Sequence, residues 1–240
     1  MSALTVVAQA GGGFFRNRSG TPTCEERNGL CPAWIAHHLD RYASPFWQHL
    51  VLVVVSVGAG FAIAFTLALM AHRRRWLVGP FVQLTGILYT IPSLAAFFLL
   101  LPITGRGSLT AIIALTAYTL LILFRNVVDG LDGVPDEARD AGRGMGLTAR
   151  QLLWRVELPL AVPAIMAGLR VATTTTVGLA ALAFYAGAGG LGAPMEADKA
   201  FDSNIVVAGG LCVIMAVGLD AILLFAERVA APWARARAGS

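Results

Sequence analysis

Two stretches in the first half of this chain carry no formal charge over more than twenty residues each. Leu50 to Ala71 runs for 22 residues and Trp76 to Gly105 for 30. An uncharged apolar run of about 18 residues or more is long enough to cross a ~30 Å hydrocarbon core as a helix. The composition agrees, at 57% hydrophobic and 13% charged, roughly half the charged share of a soluble domain. The chain therefore reads as an all-α polytopic membrane protein. Its net charge of +4 does not call for nucleic acid, because the arginines stand at the ends of apolar runs, where they set topology.

Five spans follow in order, at about 50–71, 77–103, 107–124, 160–186 and 203–226. The second lies in the 30-residue run, which as one straight helix would reach ~45 Å and overshoot the membrane core. Pro92 divides it, so a proline-broken or re-entrant segment is expected, giving six segments if the halves are counted apart. Arg170 and Asp220 fall inside the fourth and fifth spans. Each reads first as an anchor near an inner helix end and second as a functional charge. Residues 1–45 are polar and irregular, with a short amphipathic helix from Pro32 to Tyr42 that puts Trp34, Ile35 and Leu39 on one side. Ala8-Gln9-Ala10 mimics a signal-peptidase site, but Leu4 to Val7 is too short an apolar core and no basic residue precedes it. Residues 46–230 form the membrane domain and 231–240 a basic tail.

The longest polar island between apolar spans is Val134 to Pro159. Pro135 suits a first helical position, with Asp136 and Glu137 at the positive end of the helix. Gly142, Gly144 and Gly146 are expected to interrupt that helix. Thr148 and Gln151 then form a capping box, and Leu147 and Leu152 have the spacing of a hydrophobic staple. Pro159 disfavours helix at Leu158, so the second helix is expected to end there. The result is a helix-turn-helix knob between spans.

With this knob on the cytoplasmic side, Arg73, Arg74, Arg75, the arginines at 125, 139, 143, 150 and 155, and the tail arginines Arg228, Arg235 and Arg237 lie inside. Arg16, Arg18, Arg27, Arg41, Arg106 and Lys199 lie outside. The positive-inside bias places the N-terminus outside and the C-terminus in the cytoplasm. That orientation exposes Cys24 and Cys31 to an oxidising compartment, and Asn28-Gly29 between them is a favoured turn, so a disulfide is expected. Cys212 lies mid-span and is expected to stay reduced.

The knob resembles the cytoplasmic coupling loop of ATP-binding cassette importer permeases. The family pattern is Glu-Ala-Ala, three residues, Gly, nine residues, an aliphatic residue, any residue, Leu-Pro. Here Asp140-Ala141-Gly142, Gly146, Val156, Leu158 and Pro159 keep both gaps, with Asp for Glu and Gly for the second Ala. Two further segments resemble the osmoprotectant (glycine betaine/choline) branch. Tyr89-Thr90-Ile91-Pro92-Ser93-Leu94-Ala95 matches its Gln-Thr-Ile-Pro-Ser-Leu-Ala with Tyr for Gln, and Gly187-Ala188-Gly189-Gly190-Leu191-Gly192 matches its glycine-rich segment. The resemblance covers roughly 50–204.

The resemblance implies a type I importer permease fold and a chain that contacts an ATPase through Arg139, Asp140, Ala141, Gly142, Arg143, Gly146, Leu147, Val156, Leu158 and Pro159. Small residues at Ala141, Gly142 and Gly146 would allow close approach. Tyr89, Pro92, Gly189, Gly190 and Gly192 become candidates for the gate or translocation path. Implied partners are two ATPase subunits, a second permease subunit (identical or paralogous), an extracytoplasmic solute-binding protein and the lipid bilayer of the cell membrane. The chain itself has no Gly-x-x-x-x-Gly-Lys-Ser/Thr loop, no His-Glu-x-x-His and no Gly-x-Ser-x-Gly. No cofactor or metal is expected on it, and ATP and Mg belong to the partner ATPase. Two other readings stay open: a permease for amino acids or another small solute, and an intramembrane enzyme or scaffold.

Overall fold

The computed structural model describes Cys24 and residues 29–198 and 200–233. The Ala8-Gln9-Ala10 site, Asn28, Arg16, Arg18, Arg27, Lys199, Arg235 and Arg237 lie outside the described residues. All regular elements among the described residues are helical. In chain order they are α1 (Pro32–His37), α2 (Ala43–Arg73), α3 (Val78–Thr90), α4 (Ser93–Thr104), α5 (Ser108–Asp132), α6 (Asp136–Gly144), α7 (Ala149–Leu152), α8 (Leu158–Ala180), α9 (Gly192–Ala197) and α10 (Asp202–Ala230). Single 3-10 turns join several of them, and a π turn, Leu153–Glu157, joins α7 to α8.

Among the described residues, four helical stretches are long and apolar enough to cross a membrane, and the pair α3–α4 makes a fifth if its two arms are one span. That pair is bent by 94°. The break falls at Pro92, whose ring denies α4 a preceding helical residue: Ile91 takes an extended conformation, with φ −65° and ψ 126°. Contacts at the two ends show that the bent pair crosses the molecule. Just ahead of α3, Arg75 pairs with Asp132 beside the knob. Past α4, the Gly107 N–H donates to the Ala186 carbonyl over 2.8 Å, at the opposite end. The described residues thus traverse five times, and both the knob and the end of α10 lie at one end.

The spans outrun their expected limits because charge alone does not stop a helix. α5 continues past Arg125 to Asp132, and α10 past Ala226 to Ala230. The fourth span stops earlier, at Ala180, and Ala183–Ala186 is a separate 3-10 turn. The amphipathic N-terminal helix is also shorter, because α1 ends at His37 and Leu39–Tyr42 is 3-10.

Small residues let the spans approach closely, as helices in lipid require. A Cβ at Gly60 of α2 would meet Thr119 Oγ1 of α5 at 1.8 Å, and one at Gly168 of α8 would meet Asn126 Cβ of α5 at 2.3 Å. Two apolar clusters result. Leu52, Val53, Phe97, Leu115 and Leu191 anchor the one away from the knob. Ala64, Ala68, Leu123, Phe124, Leu158 and Ile165 anchor the one beside it. Between them lies a hydroxyl-bearing layer, where Thr116 Oγ1 donates to the Ser56 carbonyl and Thr119 Oγ1 to the Thr116 carbonyl.

Candidate functional site: the polar knob and the broken span

The knob folds around a glycine. Pro135 is the N-cap of α6 rather than its first helical residue, and Asp136 and Glu137 fill the first turn, where carboxylates meet the positive end of the helix. Gly142 and Gly144 do not interrupt α6. Only Gly146 takes the left-handed conformation, with φ 77°. The reason is packing: a Cβ at Gly142 would stand 2.6 Å from Leu152 Cδ1, 3.5 Å from Leu147 Cδ1 and 3.6 Å from Val156 Cγ2. Leu147 and Leu152 close over Gly142, which offsets its poor helix propensity. The glycine therefore serves the inside of the knob and offers no surface to a partner. Thr148 caps α7, since its Oγ1 accepts the Gln151 N–H and Gln151 Oε1 accepts the Thr148 N–H.

Pro159 does not end the second helix. The π turn shifts the hydrogen-bond register ahead of the proline, so α7, the turn and α8 form one helical run, Ala149–Ala180, of 32 residues. A wider turn leaves room for the ring and accommodates the hydrogen bond that proline cannot donate. A rigid rod thus leads from the knob into the fourth span.

The knob sits on a buried ionic seat that pattern reading did not find. Arg139 Nε donates to Glu157 Oε1 at 3.0 Å, its Nη1 to Asp136 Oδ1 at 2.9 Å and its Nη2 to the Leu131 carbonyl at 2.7 Å. Glu157, 5% exposed, also takes His72 Nε2 at 3.0 Å. One residue from each of α2 and the π turn, the end of α5 and the core of α6 therefore meet at one node. Burial works against the Arg139 charge, but the hydrogen bonds to Asp136 and Glu157 outweigh it and raise its pKa above the ordinary value. The signal was present in the sequence. Glu157 is four residues from both Leu153 and Ala161, so it lies on the buried stripe of its helix, where a carboxylate needs a partner.

Of the residues expected to face an ATPase, Asp140, Ala141, Arg143 and Gly146 are exposed, with Met145 beside them. Asp140 and Arg143 pair with each other across 3.0 Å. Arg139, Gly142 and Leu158 point inward, and Leu147, Val156 and Pro159 are half-buried.

At mid-depth, Tyr89 closes α3 one turn before Pro92. Its ring lies 5.9 Å from that of Tyr118 of α5, and the Tyr118 hydroxyl donates to the Ile91 carbonyl at the break.

Residues 45–231 match the family described as binding-protein-dependent transport system inner membrane component. The chain belongs to this family. It is 38% identical over 188 residues to the osmoprotectant import permease protein OsmW of Salmonella typhimurium, covering 75% of this chain and 87% of that one. It is 34% identical to the choline transport system permease protein OpuBB of Bacillus subtilis, covering 78% and 87%. Among solved structures, an inward-facing form of the MetNI methionine ABC transporter matches with a TM-score of 0.62 at 26% identity, covering 77% of this chain and 92% of that one. A chain of an amino acid ABC transporter with histidines matches with a TM-score of 0.69 at 15% identity, covering 83% and 98%, and shows the shared fold. The chain is a permease subunit of type I importer fold, in a system whose ATP is hydrolysed by separate subunits.

The glycine loop of the permease is packed. Gly187, Gly189 and Gly190 have φ of 79°, 75° and 82°, a region that suits glycine. The Gly190 N–H donates to Gln48 Oε1 and the Leu191 N–H to His49 Nδ1, both at 3.2 Å. His49 Nε2 in turn meets the Val177 carbonyl at 3.0 Å. A Cβ at Gly192 would lie 1.6 Å from the Ala181 carbonyl oxygen. These glycines stand at the end away from the knob, whereas Tyr89 and Pro92 stand at mid-depth, so the structure does not bring the two sets together.

Beside the glycine loop, Cys24 and Cys31 are bonded through their sulfurs, with Cα atoms 5.8 Å apart. The Cys31 N–H donates to Ser203 Oγ at 2.7 Å, and that hydroxyl donates to the Gly29 carbonyl at 2.8 Å. Trp34 packs edge-on against Phe201 at 4.7 Å. Arg170 and Asp220, separate in the sequence reading, form a two-pronged pair at 2.7 and 2.9 Å that ties α8 to α10. Among the described residues, no group of three or more His, Cys, Asp or Glu is placed to hold a metal.

Proposed function

We propose that this permease forms the translocation path for glycine betaine, choline, carnitine or a related compatible solute. It works with two ATPase subunits that carry ATP and Mg, a second permease subunit and an extracytoplasmic solute-binding protein. The identity to the osmoprotectant permease of Salmonella typhimurium, 38% over 188 residues, is the observation that carries this reading. In it, the knob lies in the cytoplasm and its exposed face of Asp140, Ala141, Arg143 and Gly146 seats in the ATPase. Closure of the ATPases moves α6, the Arg139–Glu157 node holds α6 to the π turn, and the continuous helix into α8 carries the motion to the membrane. The N-terminus and residues 1–45 are extracytoplasmic, and the tail at 231–240 is cytoplasmic. Tyr89 and Pro92 line the path, and the disulfide persists outside the cell.

The likeness in fold to the methionine transporter, at 26% identity, supports a second reading, a permease for a small amino acid. Uptake of radiolabelled glycine betaine, choline and methionine by proteoliposomes holding the whole transporter separates the two. The first reading expects ATP-dependent uptake of at least one quaternary ammonium solute and none of methionine. The reverse pattern overturns it.

A further inference from the structure

The break in the second span leaves non-helical backbone and a half-open tyrosine, Tyr89, at mid-depth. Tyr118 is ten residues from the start of α5, about 15 Å along its axis and so near the middle of a ~30 Å core. It belongs to the same hydroxyl-bearing layer as Thr116 and Thr119, between the two apolar clusters. At this depth the exposed side chains of α3 and the break are Ile87, Tyr89, Thr90, Pro92 and Leu94, and the Thr90 hydroxyl donates to the Ile87 carbonyl. Non-helical backbone and polar groups persist at mid-membrane only where protein or a water-filled cavity covers them. Such a face meets either the second permease subunit or the path, and in the osmoprotectant reading Tyr89 meets the path.

Two aromatic rings stand there with different roles. Tyr118 is 6% exposed, and its hydroxyl is tied to the Ile91 carbonyl. That bond fixes the break and turns one tyrosine into a support. Tyr89 is 40% exposed and packs on Tyr118 at an interplanar angle of 66°. The support orders the Tyr89 ring while leaving much of it open. An aromatic face held in a low-dielectric setting attracts a cation through its quadrupole, and quaternary ammonium groups are well suited because they lack hydrogen-bond donors and shed water readily.

We propose that Tyr89, braced by Tyr118, is a cation–π station in the permease for the quaternary ammonium group of the passing solute. The proposal rests on the osmoprotectant reading above. A single ring gives a weak site, which suits a path, because a solute held tightly would not leave. The full carbonyl, hydroxyl and ring arrangement at the break thereby contributes selectivity downstream of the solute receptor.

The test uses the whole transporter in proteoliposomes, with glycine betaine uptake and receptor-stimulated ATP hydrolysis measured together. Tyr89→Phe and Tyr89→Trp keep a ring, whereas Tyr89→Leu and Tyr89→Met keep bulk without one. The ring-bearing variants are expected to take up solute within about twofold of the unmodified transporter. The aliphatic variants are expected to lose about tenfold, within the range of one desolvated cation–π contact, while receptor-stimulated hydrolysis persists. Uptake that follows side-chain volume instead of aromaticity overturns the station, as does equal uptake by all four variants. If the unmodified transporter moves no quaternary ammonium solute, the substrate reading fails and takes the station with it.

Discussion

At the residue scale, Gly142 and Arg139 decide whether the knob is a built object or a loose loop. A Cβ at Gly142 would press on Leu152 Cδ1 at 2.6 Å, the far end of a flexible side chain. Gly142→Ala is therefore expected to be tolerated. The strain is offset by the ~0.5–1 kcal/mol that alanine gains over glycine inside a helix, and alanine is what the family pattern carries there. Gly142→Leu overfills the same space, at about 1–3 kcal/mol. It should expose the knob to limited proteolysis even without an ATPase present. Unchanged proteolysis would contradict the inward packing of this glycine. Arg139→Ala leaves the Glu157 carboxylate buried with His72 as its remaining charged-capable neighbour, a loss on the order of 3 kcal/mol. The Arg139→Ala/Glu157→Ala double variant should lose less stability than the two single losses added together, as measured by thermal unfolding in detergent. Simple additivity would mean that the node is not coupled.

At the scale of elements, the sequence was most readable where a local rule acts alone. The capping box at Thr148 and Gln151 and the break at Pro92 follow from side-chain and ring geometry within a few residues. Pro159 shows the limit. Its local rule ends a helix, but the π turn removes the conflict by spreading it over Leu153–Glu157, and no short-range pattern announces such a turn. The glycine loop shows another limit. Gly189 and Gly190 look flexible in isolation, and the partners that order them, Gln48 and His49, lie more than a hundred residues away. The N-terminal segment belongs at this scale too. The disulfide pair, Ser203 and Trp34 fasten it to the start of α10, where Ser203, Asn204 and Ala208 are buried. Peptide mapping without reduction should recover Cys24 and Cys31 as one linked species. Recovery of both as alkylated thiols would remove the covalent part of the fastening, worth about 2 kcal/mol for so short a loop.

For the whole molecule, five traverses hold two polar ends apart. The knob, the Arg75–Asp132 pair and the Arg139 node share one end, and the disulfide, the glycine loop and Arg106 share the other. The number of traverses was legible from uncharged runs and from the length excess of the second. The pairing of Arg170 with Asp220 and of Glu157 with Arg139 and His72 was not, because each joins separate helical elements, and periodicity within one shows that Glu157 needs a partner without showing which. In the proposed function, the exposed face of α6 and its turn meets the ATPase. Met145, 73% exposed at that turn, is the position to probe. A photo-crosslinking benzoylphenylalanine placed at 145, and separately at Arg106, in the transporter assembled in native membranes should give an ATPase-linked product only from 145, with a yield that changes on adding ATP. A product from 106, or none from 145 in a complex that still transports, would contradict the assignment.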